Sequence, residues 1–229
     1  METADVKYHK WDFWVQENLK YVTPHFRMEK AARIVDDIAR GKECDLLDVG
    51  CGPATLMRLL GGNIRYHGVD IAIQDPAPNL LQMDFVERPI AFGGKSFDIV
   101  LAQGVFEYIG RAQSQKFADI AALLKENGTF MVSYVNFDHR NKGVYWPYNN
   151  IQSFRDFRGS LEQYFRVKRV IPTSHRWYHD EPKGRLMKAI QMHINVNLPV
   201  ISRMFAVEYF FICSLPGVDG GRARTATTQ

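Results

Sequence analysis

Little in this chain can cross-link it. Three cysteines, Cys44, Cys51 and Cys213, stand among 229 residues. None falls in a Cys-x-x-Cys or Cys/His spacing, so neither a disulfide framework nor a zinc site is expected, and no other metal site is read; a reducing, cytoplasmic setting is predicted. Proline is sparse at 10, and no low-complexity or linker-rich segment or internal repeat appears. Charge of one sign is scarce as well: Lys+Arg 29 against Asp+Glu 25 leaves +4, with no block of five or six basic residues. No nucleic-acid partner is implied. Long apolar runs are missing too. The most apolar late stretch, Leu198 to Leu215, is interrupted by Arg203 and Glu208, and Met1 to Lys10 holds no signal-type run. Neither secretion nor a membrane span is expected.

What remains is an ordinary globular composition, 46% hydrophobic and 24% charged, long enough to bury one sizeable core. Ala31, Ile34, Val35 and Ile38 recur at helical spacing, and Gly41 follows at the C-cap position, so Glu29 to Arg40 is predicted as an amphipathic helix. Leu46 to Val49 then reads as a strand, and Pro53 to Leu60 as a helix stopped by Gly61-Gly62. Strands are predicted at Tyr66 to Val69, Leu80 to Met83 and Ile99 to Ala102. A helix through Phe117, Ile120, Ala121 and Leu124 follows, closed by Gly128. Thr129 to Val135, Val167 to Ile171 and Val207 to Ile212 complete seven strands. Their alternation with helices predicts an α/β fold with a mostly parallel sheet covered on both faces. Only Ile71 to Asn79 separate the second and third strands, too few for a crossover helix.

Ligands of open α/β sheets bind beyond the carboxyl ends of the strands, where a glycine-rich first turn lets them lie against bare backbone. Asp48-Val49-Gly50-Cys51-Gly52 is such a turn. Asp70 ends the second strand about twenty residues on, the place from which a carboxylate accepts from both hydroxyls of a ribose. Asp84 ends the third strand, and Gln103 follows the fourth, beside the turn. Together they describe a nucleoside pocket.

On these residues the chain resembles a class I S-adenosylmethionine (SAM) dependent methyltransferase. The match runs through Leu47 to Gly52, Gly68-Val69-Asp70, Met83-Asp84, Phe97-Asp98 to Tyr108, and Leu124 to Ser133. A weaker likeness to a MetW-like branch, or to methyltransferase type 11 or 23, lies in Val135 to Arg140. The resemblance implies a Rossmann-like seven-stranded sheet with an antiparallel last strand, and SAM as cofactor with S-adenosylhomocysteine as product. Asp48, Gly50, Cys51, Gly52 and Gln103 would hold the methionine part, Asp70 and Ile71 the ribose, and Asp84 with Phe85 the adenine. Ala54 departs from the family, which often has a third glycine there. Two rivals in other classes stay open: a SAM-fold protein active only with a partner, and an RNA methyltransferase. A nicotinamide dehydrogenase would want glycine where Thr55 stands and leaves Asp48 without a role.

The rest of the chain is assigned to the acceptor, a small molecule methylated at oxygen. Residues 1–28 form an aromatic lid segment with Tyr8, Trp11, Trp14 and Tyr21, residues 29–216 one domain, and 217–229 a polar tail that frays. Arg27, Glu107 and Tyr108 join Tyr8, Trp11 and Trp14 as substrate contacts. Arg140 and Arg176 suit an anionic group on the acceptor. His139, His175 and His179, in loops after the fifth and sixth strands, are the candidate general bases. An insertion at about 183–205, rich in Met187, Met192 and Met204, is expected to serve as pocket wall, homodimer contact or core packing.

Overall fold

The computed structural model describes residues 11–136, 152–173, 175 and 184–217. Helix α1 (Trp11–Asn18) leads through a short 3-10 turn, Leu19–Tyr21, to α2 (Phe26–Ala39). Seven strands then build one sheet: β1 (Cys44–Val49), β2 (Ile64–Asp70), β3 (Leu80–Gln82), β4 (Phe97–Ala102), β5 (Leu124–Val135), β6 (Arg166–Pro172) and β7 (Glu208–Ser214). Helices α3 (Gln113–Leu123) and α4 (Phe154–Leu161) follow β4 and β5, and α5 (Arg185–His193) and α6 (Pro199–Phe205) fill the span between β6 and β7.

The order across the sheet is β3-β2-β1-β4-β5-β7-β6. The first five strands run parallel, and β7 lies antiparallel between β5 and β6. This is the expected Rossmann-like α/β architecture. The order reverses between β1 and β4, which puts the topological switch point beside the glycine turn.

Strand residues alternate between two cores because successive side chains point to opposite faces. Leu46, Ile99, Leu101, Met131, Phe210 and Ile212 pack with Ala31, Ile34 and Val35 of α2 on one face. Leu47, Val100, Phe130, Val132 and Phe211 pack with Phe117 and Ile120 of α3 and Phe157 of α4 on the other. The central strands are apolar on both sides for this reason.

No helix joins β2 to β3. Ala77 and Leu80 instead exchange two backbone hydrogen bonds, 3.1 and 2.9 Å, and a three-residue strand pairs Gly68 with Leu80. Gly68 permits the close fit: a Cβ there would meet Cys51 Sγ at 2.7 Å.

Two local expectations are corrected. The helix foreseen over Pro53 to Leu60 is a 3-10 segment, Thr55–Leu59, entered through a left-handed Ala54 at φ 54°. Gly128 does not close a helix, because α3 ends at Leu123 and Gly128 lies within β5. Its Cβ would stand 2.8 Å from the Lys125 carbonyl and 3.1 Å from that of Phe97. The glycine serves a backbone crowded by the irregular β4–β5 register, not a cap.

Candidate active site

A cavity of about 510 Å³ opens at the carboxyl ends of β1, β2 and β4. Its wall includes Asp48, Gly50, Cys51, Gly52, Asp70, Ile71, Asp84, Phe85 and Gln103, the nine residues read from the sequence as cofactor contacts. Gly50 takes φ 72°, a conformation glycine adopts freely, and a Cβ there would strike Val105 at 2.3 Å. The turn is thereby pressed against the loop after β4.

Asp70 ties the turn to β2. Its Oδ2 accepts from the Gly52 amide at 2.9 Å and its Oδ1 from the Ala72 amide at 2.8 Å. An ionised carboxylate offers about four acceptor positions, so these two bonds, with a longer one from Asn18 Nδ2, leave capacity for one ligand hydroxyl. Burial pushes its pKa up, and the two amides oppose the rise. Asp48 lies deeper. It accepts from the Tyr66 hydroxyl at 2.7 Å, and burial, reinforced by the neighbouring Asp70, pushes it up to about 7 despite that bond. Burial also pushes the Cys51 thiol well above its ordinary value, so Cys51 is no nucleophile.

Helix α1 and the turn after it form one side of the wall. Trp14 of α1 meets Tyr108 edge-on at 5.0 Å, and both line the cavity. Asn18, the last residue of α1, reaches Asp70 Oδ1 at 3.4 Å. Thr55, fully buried, donates to the Tyr21 carbonyl at 2.6 Å and holds the segment after α1 to the glycine turn. Tyr8 lies outside the described residues, and Trp11 belongs to α1.

The loop after β4 is anchored by Phe106, stacked on Phe117 at 4.7 Å in the core. Its neighbour Glu107 is thereby held in the cavity wall at 6% exposure. Arg27 and Glu208 stand in the same wall and join at 2.7 Å across 181 residues of chain. Glu208 arrives there because β7 pairs Glu208 with Val135, and the side-chain Nδ2 of Asn136 donates to the carbonyls of Arg203 (3.0 Å) and Ala206 (2.8 Å), which fixes the entry to the strand. Burial opposes the Arg27 charge, yet Glu208 outweighs it and holds the guanidinium above its ordinary value.

The histidines are placed differently. His175 stands outside the cavity wall: its amide donates to Gln191 at 2.9 Å, its Nε2 meets Ser202 Oγ at 3.1 Å, and burial pushes its pKa down. His139, His179, Arg140 and Arg176 lie outside the described residues. Among the described residues of the 183–205 insertion none lines the cavity. His25 does line it, edge-on to Tyr21 at 5.4 Å.

Glu208 was not foreseen as a site residue. The available signal was a carboxylate inside the apolar run Leu198 to Leu215, since an acid in such a run is retained only where it finds a partner. Asn18 carried no signal, because its role depends on where α1 lies.

A family model described as a methyltransferase domain matches residues 24–167. It does not single out the MetW-like branch. No curated protein matches the chain. Among solved structures, a SAM-dependent methyltransferase from Clostridium acetobutylicum is similar at 12% identity and TM-score 0.58, over 88% of this chain and 96% of that one. The N-methyltransferase NodS from Bradyrhizobium japonicum, in complex with S-adenosylhomocysteine, is similar at 9% identity and TM-score 0.57, over 89% and 99%. A TehB-like SAM-dependent methyltransferase from Corynebacterium glutamicum is similar at 14% identity and TM-score 0.56, over 88% and 94%. At these identities the likeness is one of fold.

Proposed function

Because the chain belongs to the methyltransferase-domain family and is a class I SAM-dependent methyltransferase, we propose that it methylates a hydroxyl of a small molecule bound in the cavity beneath α1. One observation carries the reading: the nine residues expected to hold the cofactor, far apart in sequence, wall a single cavity at the switch point.

The donor set fits the cofactor. Asp70 retains acceptor capacity for a ribose hydroxyl, Asp84 and the largely buried ring of Phe85 flank an adenine, and the turn from Gly50 to Gly52 with Gln103 receives the amino-acid end. When bound, SAM supplies a methyl carbon made electrophilic by its sulfonium. This chain's residues then position the acceptor in line and exclude water, the second task falling to Trp14 and Tyr108.

Two expectations about the acceptor take a narrower form. Arg27 is committed to Glu208, so an anionic acceptor group rests on Arg140 and Arg176 alone. A histidine base rests on His139 or His179, since His175 faces Ser202 and Gln191.

Calorimetry with S-adenosylhomocysteine tests the reading. The wild-type protein is expected to bind it and Asp70→Ala to bind at least about tenfold more weakly, the loss of roughly one charge-assisted hydrogen bond. Equal binding by the two proteins would refute it.

A further inference from the structure

The cavity wall contains an acidic corner made of residues outside the nine assigned to the cofactor. Glu107 and Glu208 are 6% and 3% exposed. Each keeps one buried carboxylate oxygen, Oε2, with no hydrogen-bond partner, and the Nε of Arg27 is likewise buried and unpartnered. All three residues line the cavity. Two carboxylates served by one guanidinium, with the Arg27–Glu208 contact the sole direct pairing among them, leave an excess of acceptor oxygen. A buried carboxylate oxygen without a donor is destabilising, and its retention in a cavity wall points to a ligand that brings the donor.

We propose that Glu107 and the Arg27–Glu208 pair form the acceptor subsite, and that Glu107 takes the proton of a hydroxyl-bearing acceptor during methyl transfer. The inference rests on the hydroxyl reading above and names the group that serves it. Glu107 follows directly on the loop that begins with Gln103 and Gly104, beside the glycine turn, whereas His25 stands near Tyr21. The step balances. The acceptor O–H bond breaks and its proton passes to the Glu107 carboxylate. The oxygen's electron pair forms the new O–CH3 bond, and the C–S pair stays on sulfur, which becomes a neutral thioether. Glu208 and Arg27 act as positioning residues.

The electrostatics agree. Burial, followed by the Glu208 charge, pushes Glu107 up to about 8, which makes its ionised form a stronger base than an ordinary carboxylate and matches it to operation near neutrality. Ionisation of Glu107 must precede transfer, so kcat/KM should rise with pH and level off above about 8.

The test uses the intact protein, S-adenosylhomocysteine as the binding probe, and a panel of simple phenols and primary alcohols as acceptors with labelled SAM. Glu107→Gln, nearly isosteric, should keep S-adenosylhomocysteine binding within about threefold. It should lower kcat by about 10²-fold or more on whichever hydroxyl compound the wild type methylates, and abolish the pH limb. Glu208→Gln removes the neighbouring negative charge and should move that limb to lower pH. Carbon-13 NMR of carboxyl-labelled glutamates gives a readout free of turnover: one resonance titrating near 8, absent from Glu107→Gln. Normal turnover by Glu107→Gln, the absence of that resonance, or a wild type that methylates none of the hydroxyl compounds would overturn the proposal while leaving cofactor binding intact. Failure of the wild type to bind S-adenosylhomocysteine would overturn the cofactor reading and this one with it.

Discussion

Lys30 is a fully buried ammonium in the middle of α2, and replacing it with methionine is expected to loosen the insertion before it touches the sheet. Its Nζ donates to three backbone carbonyls, those of Pro172 at 2.7 Å, Gln191 at 2.9 Å and Ile194 at 3.0 Å. Burial pushes its pKa down to about 7. A neutral amine has only two N–H donors, however, and would leave one carbonyl unserved, so the geometry is that of the charged form. Methionine has nearly the same length and preserves the packing of the stem, but it offers no donor, and three carbonyls that cannot be substituted away are orphaned. Each such loss costs about 1–3 kcal/mol when buried, and the relief of desolvating an ammonium offsets part of it. A net loss of about 3–5 kcal/mol follows. For a chain of this size each kcal/mol lowers Tm by about 2–4 °C, giving a drop of roughly 6–20 °C by calorimetry. Two of the carbonyls belong to α5 and the residue that follows it, so amide exchange should accelerate first over 185–205. A drop in Tm under about 2 °C, or faster exchange confined to the central strands, would refute the reasoning.

Asp48 and Arg40 give two further predictions beside those for Asp70 and Glu107. Folded Asp48 is pushed up to about 7, above an unfolded aspartate, so the native state retains a proton that the unfolded chain releases between about pH 4 and pH 7. Stability contributed by this group is therefore full below that window and lost as pH rises through it. Asp48→Asn still accepts from Tyr66 and does not titrate; its urea midpoint should gain on the wild type between about pH 4.5 and pH 8, and a pH-independent difference would reject the argument. Arg40 closes α2 in the left-handed region at φ 51° with an exposed side chain. Arg40→Gly is expected to stabilise the protein by about 0.5–1 kcal/mol, and a lowered Tm would contradict it.

The side of the cavity at the glycine turn was legible because it is built from short chain segments at strand ends. Gly50, Cys51 and Gly52 follow β1 directly, and Asp70 closes β2, so reading the strands already places these residues on one edge of the sheet. The rest was read less well. His175 looked like a base because it is a titratable group in a loop after β6, but a loop position says nothing about which way a side chain turns, and this one turns to Ser202. Glu208 looked like an interruption of an apolar run, and its place in the cavity wall depends on antiparallel pairing with Val135 and on Arg27, 181 residues away. The helix over Pro53 to Leu60 failed for a related reason: helical spacing cannot register that the turn must enter through a left-handed residue at Ala54.

By itself the sequence determined the class of fold, the parallel strands with apolar residues on both faces, and the residues that gather at the glycine turn, because periodicity and turn chemistry act between near neighbours. Only the tertiary structure decided which charges gather in the cavity wall. Charges such as Arg27, Glu107 and Glu208 acquire their character from burial and from each other, and which buried charges meet is settled by the order of strands in the sheet, in which β7 is inserted between β5 and β6.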